Sequence, residues 1–264
     1  MMMRILTPVL AMAAMGLIFG VALAYALKIF GIEIDPKMFK LLSMLPGSNC
    51  GACGRPGCAG FAEALAKGEA VPSGCLSSNE ESRKSIAHFL GLDHEERVKT
   101  VATLLCNGGV RAKDKYLYRG IKSCKAATML FGGYKTCAFG CLGLGDCVEE
   151  CPFDALHIGA DGLPEVDEKR CTSCGKCLKA CPKNLYALLP IAGLYYVKCS
   201  SKDSGASTAK ACRSGCIACA KCEKACPSGA IRVESNLAGI DPDKCQNIGK
   251  CFVACPTKVI VKRG

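Results

Sequence analysis

The segment from Cys137 to Cys181 decides how this chain is organised. It begins C-A-F-G-C-L-G-L-G-D-C-V-E-E-C-P, continues for nineteen residues after Cys151, and ends C-T-S-C-G-K-C-L-K-A-C-P. Two runs of four cysteines thus follow one another, and each run closes on a proline. Cysteines this close together in sequence favour a shared metal centre over long-range disulfides. The segment therefore predicts metal centres with thiolate ligands.

The pattern is typical of bacterial ferredoxins that carry two [4Fe–4S] clusters. In such proteins the first three cysteines of a run hold one cluster, and the fourth, before proline, reaches the other cluster. This rule predicts one cluster on Cys137, Cys141, Cys147 and Cys181, and another on Cys151, Cys171, Cys174 and Cys177. Leu144 stands where the regular run has a cysteine, and we expect Cys137 to replace that ligand from upstream.

The composition supports cluster chemistry over the other classes of cysteine-rich protein. The chain has 23 cysteines among 264 residues, most at the short spacings of metal ligands, and zinc sites do not need a fourth cysteine before proline. A net charge of +11 would suit nucleic acid. However, each cluster with four thiolates carries about −2, which offsets much of that charge. There is no tryptophan, and we expect no nucleic-acid partner.

The N-terminal segment predicts a membrane anchor. Residues 6–27 contain no charged side chain and are long enough to cross a bilayer as a helix. The lysines that follow at 28, 37 and 40 place that end in the cytoplasm by the positive-inside rule. A cleaved signal peptide ending near Ala24–Ala26 is the alternative, but the apolar run is longer than such peptides have. Residues 31–46 are expected to form a linker.

A small module follows the anchor. Cys50, Cys53, Cys58 and Cys75 predict one more [4Fe–4S] cluster, with structural zinc as the alternative. A short helix is expected over 59–66, and the capping box at 78–81 opens another that runs to Leu90. A second box at 93–96 predicts a third helix that runs to Leu105. We expect the histidines to have surface or packing roles: His88, His94 and His157.

The cysteines reveal an internal repeat. Cys124, Cys137 and Cys141 have the same spacings as Cys199, Cys212 and Cys216, and both triplets lead into a ferredoxin run. A fourth cluster is therefore predicted on Cys216, Cys219, Cys222 and Cys255. Short strands are expected over 153–158, 228–233 and 257–261. The segment 198–210, rich in Ser, Lys and Gly, is expected to be a surface loop between the two units.

A fifth site is incomplete, because Ile248 stands in a ligand position. It retains only Cys226, Cys245 and Cys251. Three interpretations remain open: a three-iron cluster, a replacement ligand from Cys199 or Cys212, or no cluster. Cys106 and Cys124 have no predicted site and are interpreted as buried thiols.

The fold class that follows is α+β. We expect a transmembrane helix (1–30), a small helical [4Fe–4S] module (31–105), and two tandem dicluster domains like bacterial ferredoxins (106–195 and 196–264). Units this small need their clusters for stability.

The order of these parts carries a family resemblance. The anchor, the C-x2-C-x4-C-x16-C module, the stretch GCLGLGDCVEECPFDAL and the tandem dicluster units together resemble the B subunit of the Rnf electron-transport complex, in its clostridial or anaerobic form. The resemblance implies a complex that oxidises reduced ferredoxin, reduces NAD and transports sodium ions or protons. It implies soluble ferredoxin and other subunits as partners, and no NAD or substrate site on this chain.

The sequence therefore predicts a membrane-anchored electron relay on the cytoplasmic side, with four [4Fe–4S] clusters and a fifth incomplete site. A cluster-containing protein that binds or repairs nucleic acid is the alternative from another class. A self-contained redox enzyme is disfavoured, because the chain has no nucleotide or flavin motif.

Overall fold

The chain begins with one long apolar helix, α1 (Met2–Phe30). The computed structural model describes residues 2–30, 35–93 and 98–263. Within α1, Leu10–Ile29 is long and apolar enough to cross a membrane, and none of that stretch is buried against the rest of the chain. The predicted helix over 6–27 is confirmed. A helix whose apolar side chains all face outward fits a lipid environment.

Three helices build the next module: α2 (Pro36–Met44), α3 (Gly57–Ala66) and α4 (Glu80–Leu90). They pack around a small core that contains Leu41, Phe61 and Ile86. The predicted helices over 59–66 and up to Leu90 are confirmed. The linker predicted over 31–46 is wrong where α2 forms; Asp35 caps that helix by accepting a hydrogen bond from the Lys37 backbone N–H at 2.8 Å.

The first ferredoxin-like unit contains four strands and three short helices. They are β1 (Thr100–Leu104), α5 (Cys124–Met129), α6 (Asp146–Glu149), β2 (Leu156–Ile158), β3 (Pro164–Val166), α7 (Lys176–Ala180) and β4 (Tyr186–Pro190). β1 pairs antiparallel with β4, and β2 pairs antiparallel with β3. A buried core of Leu104, Leu163 and Leu185 lies between these two sheets and the helices.

The second unit repeats this plan. Its elements are β5 (Tyr195–Val197), α8 (Gly205–Ala211), α9 (Lys221–Ala225), β6 (Ile231–Glu234), β7 (Leu237–Ile240), α10 (Lys250–Ala254) and β8 (Ile260–Lys262). β5 pairs with β8 and β6 with β7, again antiparallel. The α+β fold is confirmed, and each predicted post-proline segment contains a strand: β2, β6 and β8.

One predicted helix is a strand. The second capping box leads to β1, whose register sets Val101 opposite Leu189 of β4. Four of the five residues of β1 are buried. A strand that is covered on both faces has no alternation of polar and apolar residues, so its pattern resembled a buried helix. Residues 94–97 of that box lie outside the described residues.

The segment between the units is also not a surface loop. It contains α8, with Ser204 as the N-cap. Ser201 and Thr208 are buried at 2% and 1% exposure, and their hydroxyl oxygens are 3.1 Å apart. The serine and threonine side chains that suggested a flexible linker are instead caps and buried hydrogen-bonding partners.

All four cysteine runs share one backbone shape. The second and fourth residues after Cys141, Cys171, Cys216 and Cys245 have positive φ: Gly143 and Gly145, Ser173 and Gly175, Ala218 and Ala220, Asn247 and Gly249. A short helix then carries the next-to-last cysteine of the run and ends within two residues of the last one. Left-handed backbone costs a non-glycine residue about 1 kcal/mol or more. Because this conformation recurs in all four runs despite its cost, the runs must meet the same geometric requirement.

Arg263 fastens the end of the second unit to the first. Its side chain is 4% exposed and lies 2.8 Å from the Glu168 carboxylate. The guanidinium also donates to Thr103 Oγ1 at 2.6 Å and to the Pro190 carbonyl at 2.5 Å. Three groups of the first unit therefore depend on one cation after β8.

We expect Arg263→Met to loosen the two units, because it leaves a buried hydroxyl and a carbonyl without their donor. The cost should be on the order of 3 kcal/mol. It should appear as a lower denaturant midpoint in anaerobic unfolding of the cluster-loaded chain. Arg232→Met is the matched control, since Arg232 is exposed on β6. Equal midpoints for the two variants would contradict this role of Arg263.

Candidate iron–sulfur sites

Three cavities in the described structure are each lined by four cysteines. Each set of four either equals a predicted ligand set or differs from it by one cysteine. The N-terminal site, of about 290 Å³, is lined by Cys50, Cys53, Cys58 and Cys75. The Cys216 site, of about 320 Å³, is lined by Cys216, Cys219, Cys222 and Cys255. Both sets are the ones that the sequence predicts. The structure thus brings together residues that lie up to 39 positions apart in the chain.

The third cavity, the Cys141 site, differs from the prediction. Its volume is about 370 Å³, and its thiols are Cys124, Cys141, Cys147 and Cys181. Cys137 does not line it and lies instead in a separate cavity with Cys106. The sequence predicts Cys137 in this place and no site for Cys124. The structure places these two cysteines the other way round.

The position of Cys124 follows from helix capping. Cys124 begins α5, and the Asp146 carboxylate accepts hydrogen bonds from the backbone N–H groups of Cys124 (2.6 Å) and Lys125 (3.0 Å) and from the Ser123 hydroxyl (3.0 Å). Burial opposes the charge of Asp146, but these hydrogen bonds prevail and lower its pKa. Because Asp146 follows Gly145, it brings the start of α5 beside Leu144. Cys124 therefore reaches the ligand position that Leu144 cannot fill.

The wrap of this run also depends on a glycine. Gly143 has φ +70°, and a Cβ there would collide with the Gly162 carbonyl in the turn between β2 and β3. Only glycine combines this left-handed backbone with so close an approach. The run can therefore curl tightly enough for Cys141 and Cys147 to face one cavity.

The predicted Cys171 site combines Cys151 with Cys171, Cys174 and Cys177, and the charges of Cys151 and Cys171 act on Cys174. Burial, followed by the negative charges of Cys171, Cys174 and other nearby thiolates, raises the pKa of Cys177 to about 12. The thiols are therefore close neighbours in a poorly solvated place. Cys151, Cys171 and Cys181 also pack against the core of the first unit.

The donor sets fit an iron–sulfur cluster. Burial is also the main cause that raises the pKa of Cys222 to about 11 and that of Cys141 still further. Several thiolates in one buried cavity are stable only around a cationic core. The thiols of the N-terminal, Cys141 and Cys216 sites surround cavities, which suits a polynuclear cluster.

The Cys251 site contains Cys226, Cys245 and Cys251. The charges of Cys226 and Cys245 act on Cys251, whose pKa is raised mainly by burial. Ile248 stands where a complete run has the cysteine that is missing from this site, and it is 51% exposed. Cys199 and Cys212 line the cavity of Cys137, so the replacement ligand considered from the sequence is not supplied by either of them. The left-handed residues Asn247 and Gly249 preserve the wrap of a complete run, which favours the three-iron interpretation.

A tyrosine hydroxyl reaches one of the ligand sulfurs of the Cys141 site. The Tyr186 hydroxyl, at the start of β4, donates to Cys147 Sγ at 3.2 Å. Burial, followed by the charge of Cys147, raises the pKa of Tyr186, so the phenol keeps its proton. A hydrogen bond to a ligand sulfur stabilises the more negative, reduced form of a cluster.

We therefore expect Tyr186→Phe to make the midpoint potential of the cluster at the Cys141 site more negative, by on the order of tens of millivolts. Redox titration followed by EPR measures this shift. Tyr196→Phe is the control, because Tyr196 is also partly buried but lies on β5, beside Arg263. A potential that does not change in Tyr186→Phe would contradict the role of the hydrogen bond.

We expect Ile248→Cys to complete the Cys251 site. The three-iron EPR signal of the oxidised chain should disappear, and the iron content should rise by about one atom per chain. Leu144→Cys is the matched control, because Leu144 holds the same position in a run whose fourth thiol, Cys124, is already present. Equal iron contents for Ile248→Cys and the unaltered chain would contradict a three-iron site.

Comparisons with known proteins agree with this geometry. An Fe-S cluster family matches residues 45–77, a 4Fe-4S binding domain matches 163–187, and a 4Fe-4S dicluster domain matches 215–259. These matches cover the N-terminal site and parts of both ferredoxin-like units. They support [4Fe–4S] clusters as the cofactors of the chain.

Similar proteins extend over nearly the whole sequence. The B subunit of the Na(+)-translocating ferredoxin:NAD(+) oxidoreductase complex of Acetobacterium woodii is 44% identical over 98% of this chain and 78% of its own length. The B subunit of an ion-translocating oxidoreductase complex of Methanosarcina acetivorans is 41% identical over 98% of both. Its counterpart in the proton-translocating ferredoxin:NAD(+) oxidoreductase complex of Clostridium ljungdahlii is 39% identical over 94% of this chain and 89% of its own length.

The predicted resemblance is thereby confirmed. The chain belongs to the B-subunit family of the Rnf-type ion-translocating oxidoreductase complexes.

Proposed function

We propose that this chain accepts electrons from reduced soluble ferredoxin and relays them to other subunits of a membrane complex that reduces NAD. Reduction of NAD takes two electrons and a proton, and ferredoxin supplies the electrons singly. The energy released would drive sodium ions or protons across the membrane. The observation that carries the proposal is the contact between successive cysteine sites, because electron transfer needs clusters in a close series.

The N-terminal site lies beside the Cys171 site. A cavity between the module and the first unit is lined by Ser77 from one side and by Cys171 and Thr172 from the other. Burial first, and then the charges of Cys50 and Cys151 among others, raises the pKa of Cys174. Cysteines of both sites therefore lie close enough to Cys174 for their charges to raise its pKa.

The Cys171 and Cys141 sites are also neighbours. The charge of Cys147 is among those that raise the pKa of Cys177. The two sites exchange their fourth ligands, since Cys151 follows the Cys141 run and Cys181 follows the Cys171 run. These contacts support a path through the first unit to the N-terminal module.

The second unit offers a place for ferredoxin to dock. Cys219, in the Cys216 site, is exposed, and the lysines Lys221 and Lys224 of α9 are exposed beside it. A cluster near the surface allows electron transfer from a docked donor. Basic side chains at such a place attract an acidic electron carrier. We therefore assign electron entry to the Cys216 site.

The membrane end of the path rests on α1. Leu10–Ile29 would span the bilayer, and Lys28 lies at the C-terminal end of the helix. Lysines at this end favour the cytoplasmic side for the cluster-bearing part. The N-terminal site, next in the chain after α2, would then be the one nearest to membrane partners.

We expect the double variant Lys221→Gln/Lys224→Gln to slow electron uptake from reduced ferredoxin by about tenfold at low salt and to weaken the salt dependence of the rate. Anaerobic stopped-flow measurement of cluster bleaching in the full chain gives the rate constant. Lys67→Gln/Lys84→Gln is the control, because both lysines are exposed on the N-terminal module. An uptake rate that ignores ionic strength in the unaltered chain would contradict docking at this surface.

A further inference from the structure

We propose that a further iron–sulfur cluster binds between the two ferredoxin-like units, on Cys106, Cys137, Cys199 and Cys212. We call this set the junction site. It deepens the proposed relay and rests on it, because it supplies the step between the Cys141 and Cys216 sites. None of the regular cysteine runs supplies a complete set for it, since two ligands come from each unit.

The junction site has the form of the other sites. Its four thiols line a cavity of about 330 Å³, within the range of the N-terminal, Cys141 and Cys216 sites. Cys106, Cys137 and Cys212 are 7%, 9% and 8% exposed. Cys199 is half-buried. The surroundings are therefore as secluded, and the donors as numerous, as where the ferredoxin runs predict clusters.

Backbone amides point at the sulfurs of this set. The Gly108 N–H donates to Cys106 Sγ at 3.4 Å, and the Ser201 N–H donates to Cys199 Sγ at 3.5 Å. Lys198 also lines the cavity. Amide donors and a nearby cation stabilise thiolates, which are the form that binds a cluster.

The junction site touches a neighbouring site on each side. The backbone N–H of Cys141 donates to Cys106 Sγ at 3.3 Å, and that of Cys216 donates to Cys199 Sγ at 3.5 Å. Cys141 and Cys216 are themselves thiols of the adjacent cavities. A ligand residue of each adjacent site would thus be in direct contact, through its backbone N–H, with a sulfur of the junction site.

The backbone around the cavity holds the two units in register. Ala112 and Cys212 form an antiparallel bridge. It is flanked by hydrogen bonds from the Lys113 N–H to the Ala211 carbonyl (2.9 Å) and from the Arg213 N–H to the Arg111 carbonyl (3.1 Å). The thiols of opposite units are therefore fixed in place by backbone contacts, which preorganises the cavity.

The internal repeat explains how these cysteines became available. Cys124 and Cys199 are equivalent in the repeat, but the second unit has Cys219 where the first has Leu144. Cys124 must complete the Cys141 site. Cys199 is not needed in the Cys216 site, which has Cys219, and it joins the junction site instead. Cys137 and Cys212, equivalent to each other, meet there across the junction. With this site, every cysteine of the chain, 23 in all, lies in one of six sites.

Metal analysis of the full chain, purified anaerobically, tests the proposal. With the junction site we expect about 23 iron atoms per chain, and about 19 without it. About 19 atoms together with normal reduction by ferredoxin would overturn the junction cluster and leave the relay standing. One zinc ion in place of the missing iron would overturn it equally. Eight or fewer iron atoms would instead overturn the proposed function itself.

Variants locate the cluster. Cys199→Ala/Cys212→Ala should lose about four iron and four sulfide, with the EPR signal of the cluster at the Cys141 site retained. Ser214→Ala, which lines the same cavity without offering a thiol, should lose none. Cys137→Ser and Cys124→Ser provide a second pair, of which only Cys124→Ser should abolish that EPR signal. Loss of that signal in Cys137→Ser, with the signal intact in Cys124→Ser, would overturn the assignment.

Discussion

The structure depends on bringing several thiolates together in places with little water. A buried thiolate is costly, and each added thiolate raises the cost for the others, as the raised pKa values of Cys177, Cys199 and Cys222 show. A cationic iron–sulfide core removes this cost, so cofactor binding and folding are one process. The small apolar cores of the module and the two units contain cysteines as well as aliphatic side chains. Their stability is therefore tied to the clusters that they hold.

A second constraint acts on the backbone. Each run makes two left-handed turns so that three cysteines can face one cavity, and residues such as Ala218, Ala220 and Asn247 accept this conformation without being glycine. The same shape persists at the Cys251 site, where Ile248 replaces a ligand. The wrap is therefore a property of the whole repeat, held by its hairpins and short helices. Repetition of this unit gives a series of sites, and the hydrogen bond from the Cys141 N–H to Cys106 Sγ connects neighbouring members of that series.

Much of the architecture was predictable from local pattern. The anchor, the helix at Gly57–Ala66, the helix capped by Asn79 and the strands after each proline follow from composition, capping residues and β-branched side chains. Two local predictions failed for the same reason: a short segment of sequence does not show whether its residues will be buried. β1 is covered on both faces and so lacks alternation, and the segment around Thr208 is polar in sequence but buried through paired hydroxyls.

The chemistry could be predicted from local spacing, because closely spaced cysteines with proline after the fourth have few other uses, and the order of the motifs indicated the family. The spacing also predicted ligand sets within one run or two consecutive runs, but it put Cys137 where the cavity of the Cys141 site has Cys124. The placement of the isolated cysteines follows from contacts in the folded chain. Cys124 enters the Cys141 site because Asp146 caps α5 beside Leu144. Cys137 shares a cavity with Cys212 because the backbone bridge between Ala112 and Cys212 joins the two units. Such placements depend on contacts between distant segments, and spacing along the chain does not record them.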